Sequence, residues 1–234
     1  MKYLREIAKA IRDGKKLPGP IVLIKEYSRW KRFKNNRGVY ENALPWIAFW
    51  AIDFLNAETH DQMRVLEYGG GGSTLFFSSR VRELVTIEHN KEWFDGLQNE
   101  MKKQPGIIWR GCFIEPETAD SMENQDKSNP DHYFSGDESF ANKTFKKYAS
   151  AIDEYQDEYF DIVLVDGRAR PSCIKHSLNK VKVDGLLILD NADRSYYLEK
   201  TNVLLGNYEL LFSQSGPTPY ISWFTQANIW KRVR

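Results

Sequence analysis

Met63-Arg64-Val65-Leu66-Glu67-Tyr68-Gly69-Gly70-Gly71-Gly72-Ser73-Thr74 joins a short apolar run to a helical one through four consecutive glycines. The run to Glu67 reads as a strand, and 73–81 as a helix that Ser73 or Thr74 is placed to cap. Glycine reaches positive φ without a steric penalty, so this junction is a tight turn whose backbone can approach a ligand closely. Beyond it, short apolar runs alternate with helical stretches, the pattern of a parallel sheet with crossover helices. Strands are expected at 63–67, 84–88, 107–110, 160–165 and 185–189, with helices at 73–81, 91–103, 170–182 and 193–205. Two last apolar runs, 208–213 and 221–231, are joined around Gly216-Pro217-Thr218-Pro219. That link has no room for a crossover helix, so the two strands must be antiparallel. The expected fold is α/β: a doubly wound sheet of about seven strands with an antiparallel C-terminal hairpin.

Upstream of the glycines, Leu4, Ile7, Ala8 and Ile11 fall at helical spacing with basic residues between them, predicting an amphipathic helix over 2–13. Gly14 and Pro18-Gly19-Pro20 break it. A second helix is expected over 21–34, ending before Asn35-Asn36-Arg37-Gly38. A third, from Pro45, carries Trp46, Ile47, Phe49, Trp50, Ile52, Phe54 and Leu55. Such an apolar helix should pack on the sheet or in a subunit interface, which makes a homodimer plausible. The chain thus divides into a basic helical cap (1–60) and a main domain (61–234). Within the latter, the polar tract 115–150 is a surface loop or a lid.

Composition narrows the class. With 41% hydrophobic and 28% charged residues the 234-residue chain reads as globular. Cys112 and Cys173 have neither a disulfide-framework nor a zinc spacing. No run approaches a membrane span, and no apolar stretch behind Met1-Lys2 resembles a signal peptide, so the cytoplasm is the expected compartment. The net charge of +1 hides an asymmetry: residues 1–38 carry +9 and the remainder −8. A basic arm of this kind suits nucleic acid, anionic lipid or an acidic substrate, or packs as a solvated face on the acidic remainder.

Two ligand classes compete for the glycine turn. A dinucleotide fingerprint, G-x-G-x-x-G, fails because its third glycine falls on Thr74. The pattern E-x-G-x-G-x-S is met in full by Glu67, Gly69, Gly71 and Ser73. Glu67 would repel a pyrophosphate and suits a cationic ligand better. Glu88 closes the second strand, nineteen residues after Gly69, where a carboxylate accepts from ribose hydroxyls in either class. His89 and Asn90 either line that adenosine pocket or, for Asn90, cap the next helix.

A second constellation stands at Asp166-Gly167-Arg168-Ala169-Arg170 and Asp190-Asn191, each directly after an apolar strand. Asp166, Asp190 and Asn191 form an all-oxygen set suited to Mg²⁺ or a similar hard cation. The arginines stay protonated and cannot act as bases; they could clamp an anionic acceptor or pair with these aspartates. His132 and His176 are candidate general bases or simply hydrogen-bonded histidines. Trp93 and Trp109 read as core or wall.

The order EYGGGGST, VTIEHN, YFDIVLVDGRAR and GLLILDNADR resembles the class I S-adenosylmethionine-dependent methyltransferases, over 63–113 and 155–230. The likeness is strongest to small bacterial-type members with a DGRAR fourth motif. It implies a Rossmann-like fold and S-adenosylmethionine as cofactor, with Glu67, Tyr68, Gly69, Gly70, Gly71, Ser73, Glu88, His89 and Asp166 lining its site. Asp166 and Arg168 would serve the reaction. Asp166, Asp190 and Asn191 are similar to the metal ligands of the catechol-type O-methyltransferases, although the lysine those enzymes carry after the fourth strand is replaced here by Gly167 to Arg170. The expected activity is methyl transfer, on oxygen, to a small-molecule or glycan-type acceptor, an anionic one where the arginines clamp it. The alternatives are a nucleic-acid-binding protein or methyltransferase using the basic arm, and a nicotinamide-dependent oxidoreductase.

Overall fold

The computed structural model describes residues 1–36, 38–119 and 125–234. Arg37, counted in the basic arm, and 120–124, within the 115–150 tract, lie outside the described residues. Four helices come first: α1 (Lys2–Arg12), α2 (Pro20–Phe33), α3 (Val39–Asn42) and α4 (Phe49–Glu58). The alternating part follows as β1 (Arg64–Tyr68), α5 (Gly72–Ser78), β2 (Glu83–Glu88), α6 (Lys91–Met101) and β3 (Ile108–Phe113). The middle tract holds a two-residue pair, β4 (Glu117–Thr118) with β5 (Lys143–Thr144), and α7 (Lys146–Ser150). Then come β6 (Phe160–Val165), α8 (Arg170–Ser177), β7 (Val181–Leu189), β8 (Tyr208–Pro217) and β9 (Phe224–Arg232).

Seven strands form one sheet in the order β3-β2-β1-β6-β7-β9-β8. The first five are parallel, and β9 inserts antiparallel between β7 and β8. Strand order reverses between β1 and β6, which opens a crevice at their carboxyl ends. Side chains alternate across the sheet: Ile162 and Leu164 join the core under α1, α2, α4 and α5, while Val163 and Val165 join the core under α7 and α8. Both faces are covered, as a parallel sheet requires. Among the described residues no helix is long and apolar enough to cross a membrane.

Several expected boundaries move. The helix expected over 170–182 stops at Ser177, and β7 begins at Val181, because β-branched Val181 and Val183 suit the sheet. The helix expected over 193–205 is two 3₁₀ turns, Ser195–Tyr197 and Asn202–Leu204. Asn191, Asp193, Ser195 and Thr201 favour local turns; Asn191 is left-handed at φ 49° and the Thr201 hydroxyl donates to the Tyr197 carbonyl. The third helix starts at Phe49 rather than near Pro45, and its buried residues Phe49, Trp50, Ala51, Ile52 and Leu55 pack on the sheet of the same chain. The short α3 gave no periodic signal, and Ala43 ends it in a left-handed conformation.

Candidate active site

Register brings the predicted residues to one edge. Tyr68 pairs with both Ile87 and Val165, and Val165 with Leu189. The residues that follow, Gly69, Glu88, Asp166 and Asp190, therefore sit side by side at the carboxyl end of the sheet. Backbone bonds extend the ladder one step further: Gly69 donates to Ile87 (2.8 Å), Asp166 to Tyr68 (3.0 Å) and Asp190 to Val165 (3.2 Å).

The turn needs its glycines for two reasons. Gly69 has φ +89°, and a Cβ there would lie 3.0 Å from the Asp166 carbonyl oxygen. Gly71 has φ +155°, and its Cβ would meet the Trp93 indole at 3.2 Å. Beneath the turn, Glu67 is fully buried; its Oε1 accepts from Thr74 and from Thr86 (2.8 Å), while Oε2 has no partner. Burial raises its pKa to about 7, against the opposing hydroxyls of Ser73, Thr74 and Thr86. Ser73 and Thr74 stand inside the first turn of α5 rather than at its cap, and Gly71 N–H donates to the Thr74 hydroxyl at 2.9 Å. The Tyr68 side chain turns into the core, donating to the Ala149 carbonyl, so only its backbone faces the crevice.

Glu88 is the hub of the turn. Its Oε2 accepts from Gly70 N–H (3.0 Å), and its Oε1 accepts from the amides of His89 and Asn90 (both 2.7 Å) and lies 2.9 Å from His89 Nδ1. Burial would raise its pKa, but these donors outweigh it and hold the carboxylate below its ordinary value. The amides of Gly69, Gly70 and Gly71 donate to Ile87, Glu88 and Thr74 respectively. Asn90 caps α6 through Trp93 N–H. Beside Glu88, at the ends of β2 and β3, opens a cleft of about 510 Å³ walled by Pro116 and Phe140 and edged by His89, Asn90, Glu115 and Lys143. The Phe140 ring and Pro116 offer flat apolar surface for a nucleoside base among otherwise polar lining residues.

At the other side of the crevice, Arg170 holds Asp166 and Asp190 together. Its Nη2 lies 2.9 Å from Asp166 Oδ1 and its Nη1 3.9 Å from Asp190 Oδ2, while Nε donates to the Gly167 carbonyl and Nη1 to that of Asp190. Burial raises the pKa of both aspartates, and the neighbouring Asp166 raises that of Asp190 further, while the Arg170 guanidinium opposes both shifts. The metal set expected at Asp166, Asp190 and Asn191 does not fit this arrangement, because a guanidinium already supplies the compensating cation. Among the described residues no cluster of three or more His, Cys, Asp or Glu is arranged to hold a metal.

No family profile matches the sequence, and neither does any curated protein. Solved structures do match. SMU.1697c from Streptococcus mutans, described as a methyltransferase and crystallised with S-adenosylhomocysteine, superposes with a TM-score of 0.54 at 9% identity, over 79% of this chain and 97% of that one. TrmN from Thermus thermophilus gives 0.51 at 10% identity, over 78% of this chain and 48% of its own length. An rRNA methylase from Streptococcus thermophilus gives 0.50 at 12%, over 78% and 93%. The chain has the Rossmann-like methyltransferase fold.

Within this fold the remaining candidates separate. Arg168 pairs with Asp137 at 3.1 Å and stacks its guanidinium over Phe140 at 5.3 Å, joining the middle tract to the end of β6. His89 is enclosed by Phe140, Phe145 and Tyr148 at ring distances of 5.2 to 6.0 Å. His176 pairs with Asp153, and His132 contacts Asn129 and the Asp126 amide, so neither joins the carboxylate edge. Trp93, read from sequence as core or wall, covers the turn: its Nε1 donates to the Gly70 carbonyl at 2.6 Å and the Tyr40 ring lies tilted against it at 5.3 Å. The Leu44 carbonyl presses so closely on Gly72 that no side chain fits there. The arginine clamp is the second of the two roles the sequence offered for Arg168 and Arg170, pairing with the neighbouring aspartates, and Arg170 takes it.

Proposed function

We propose that this chain is an S-adenosylmethionine-dependent methyltransferase acting on an oxygen of a small-molecule or glycan-type acceptor. The observation that carries the reading is the pairing of a strained glycine turn with Glu88 beside the Pro116–Phe140 cleft, at the point where strand order reverses. S-adenosylmethionine supplies an electrophilic methyl group for a nucleophile. Glu88 is suited to accept from ribose hydroxyls, Phe140 and Pro116 to wall the base, and Glu67 and Asp166 to place negative charge near a cationic ligand. A pyrophosphate would be disfavoured by Glu67, and Thr74 stands where a dinucleotide site needs its third glycine. Asp166, its pKa raised by burial, is suited to take a proton from the acceptor oxygen, which catalysis by positioning would otherwise leave unassisted. Arg168, two-thirds covered and held by Asp137, is suited to orient an anionic acceptor.

The exposed cations of α1 and α2 support a second reading, in which the acceptor lies in a nucleic acid, as the name of the rRNA methylase of like fold suggests for that protein. Calorimetric titration with S-adenosylhomocysteine and NADH in parallel tests the main reading. Uptake of the first alone is expected; uptake of NADH alone overturns it.

A further inference from the structure

The face of the N-terminal helices turned away from the sheet has a composition the cofactor site does not use. Tyr3 and Ala10 of α1, and Leu23 and Trp30 of α2, point to the core. One flank of each helix is left apolar and open: Leu4 is 68% exposed, Ile11 65%, Ile21 71% and Ile24 73%. These are not scattered residues. Leu4, Ile11 and Ile24 line one groove of about 750 Å³ between the helices, whose wall also takes in Ile7, Leu17 and Tyr27. An open apolar surface of this extent on an otherwise charged helix pair marks an interaction site.

Charge decides the kind of partner. On a helical wheel Arg5 and Arg12 border the Leu4–Ile11 stripe, and Lys25, Lys31 and Arg32 border Ile24. Arg5, Lys9, Lys16, Lys25, Lys31 and Arg32 make no ion pair among the described residues. Of the three acids in 1–36, Asp13 pairs with Arg12 and Glu26 is buried, with a pKa raised to about 8 by that burial. A nucleic acid would use the cations and leave the isoleucines in water. A second copy docking face to face would set two such basic arms against each other. An anionic bilayer uses both parts: apolar side chains enter the acyl boundary while the long basic side chains reach the headgroups.

We infer that α1 and α2 form a membrane-surface docking face for anionic phospholipid, lying in the interface rather than spanning it. The inference is independent of the cofactor reading.

The test is co-sedimentation of the full chain with vesicles of phosphatidylcholine alone and of phosphatidylcholine with 30% phosphatidylglycerol, as about a third of the lipid. Binding to the anionic vesicles is expected, weakening with salt. The Leu4→Glu/Ile24→Glu variant, altered only at exposed positions, should lose about tenfold or more of that binding. Its thermal midpoint and S-adenosylhomocysteine affinity should be unchanged, which separates this outcome from a failure of the methyltransferase reading. Equal binding of variant and parent, absence of vesicle binding, or a dimer in sedimentation velocity that the variant dissolves would each overturn the inference. So would salt-sensitive binding to an RNA or DNA duplex in place of vesicles.

Discussion

Arg170 Nη2 lies 2.9 Å from Asp166 Oδ1, and the same guanidinium reaches Asp190, so one cation at the start of α8 compensates the buried carboxylates of two strands. Removing one partner of a buried ion pair leaves an uncompensated charge. Arg170→Met should therefore destabilise the protein by about 3–5 kcal/mol in urea denaturation. Arg170→Lys should recover only part of it, since an ammonium cannot reproduce the fork that also serves the Gly167 and Asp190 carbonyls.

With Arg170 in the place a cation would take, the site is expected to be indifferent to divalent metal. Titration of Mg²⁺ or Mn²⁺ into the protein should show no saturable uptake. Chelator treatment should leave S-adenosylhomocysteine affinity unchanged, and a metal-dependent affinity would contradict the arrangement around Arg170.

Gly69→Ala places a side chain at φ +89° and 3.0 Å from the Asp166 carbonyl oxygen. Strain of this kind costs about 1–3 kcal/mol. The expected result is a lowered thermal midpoint together with weaker cofactor binding, because the turn cannot keep both its shape and its contact with β6.

Glu88 should matter twice, as hub of the turn and as ribose partner. Glu88→Gln should weaken S-adenosylhomocysteine binding by about ten- to a hundredfold, the range for losing a hydrogen bond to a charged group. Its folded pKa is held below the ordinary value, so its contribution to stability is present above the unfolded pKa and is lost as pH falls through the folded one. The parent should lose more stability on acidification than the Gln variant.

Glu26 behaves in the opposite sense. It is 2% exposed, neither oxygen has a hydrogen-bond partner among the described residues, and burial raises its pKa to about 8. Below the unfolded carboxyl pKa it is neutral in both states and carries no penalty. Stability should then fall as pH rises from about 4.5 through about 8, by a few kcal/mol at most. Denaturation of Glu26→Gln at pH 5 and pH 9 should show a clear gain over the parent at the higher pH only.

Much of the site was legible because each piece closes a strand. Gly69, Glu88, Asp166 and Asp190 each end or follow an apolar run, and parallel register carries such residues to one edge without further information. The partners were not legible, since they depend on distant chain segments. Asp137 meets Arg168, Tyr148 crowds Gly167, and Leu44 lies on Gly72, each brought there by packing rather than by neighbourhood in sequence. The choice between a metal and an arginine at Asp166 and Asp190 was open for the same reason: the sequence offered both, and the fold sets the Arg170 guanidinium between the two acids.

The sequence alone determined the succession of the seven main strands, the antiparallel closure and the glycine turn with its acidic neighbours, because periodicity and backbone freedom are local properties. Tertiary structure decided what those residues are free to do. It consumed the turn amides on Glu88, Thr74 and Ile87, gave Asp166 and Asp190 to Arg170, and left Leu4, Ile11, Ile21 and Ile24 facing outward. Hydrogen-bond capacity and burial are shared between segments far apart in the chain, and only folding allots them.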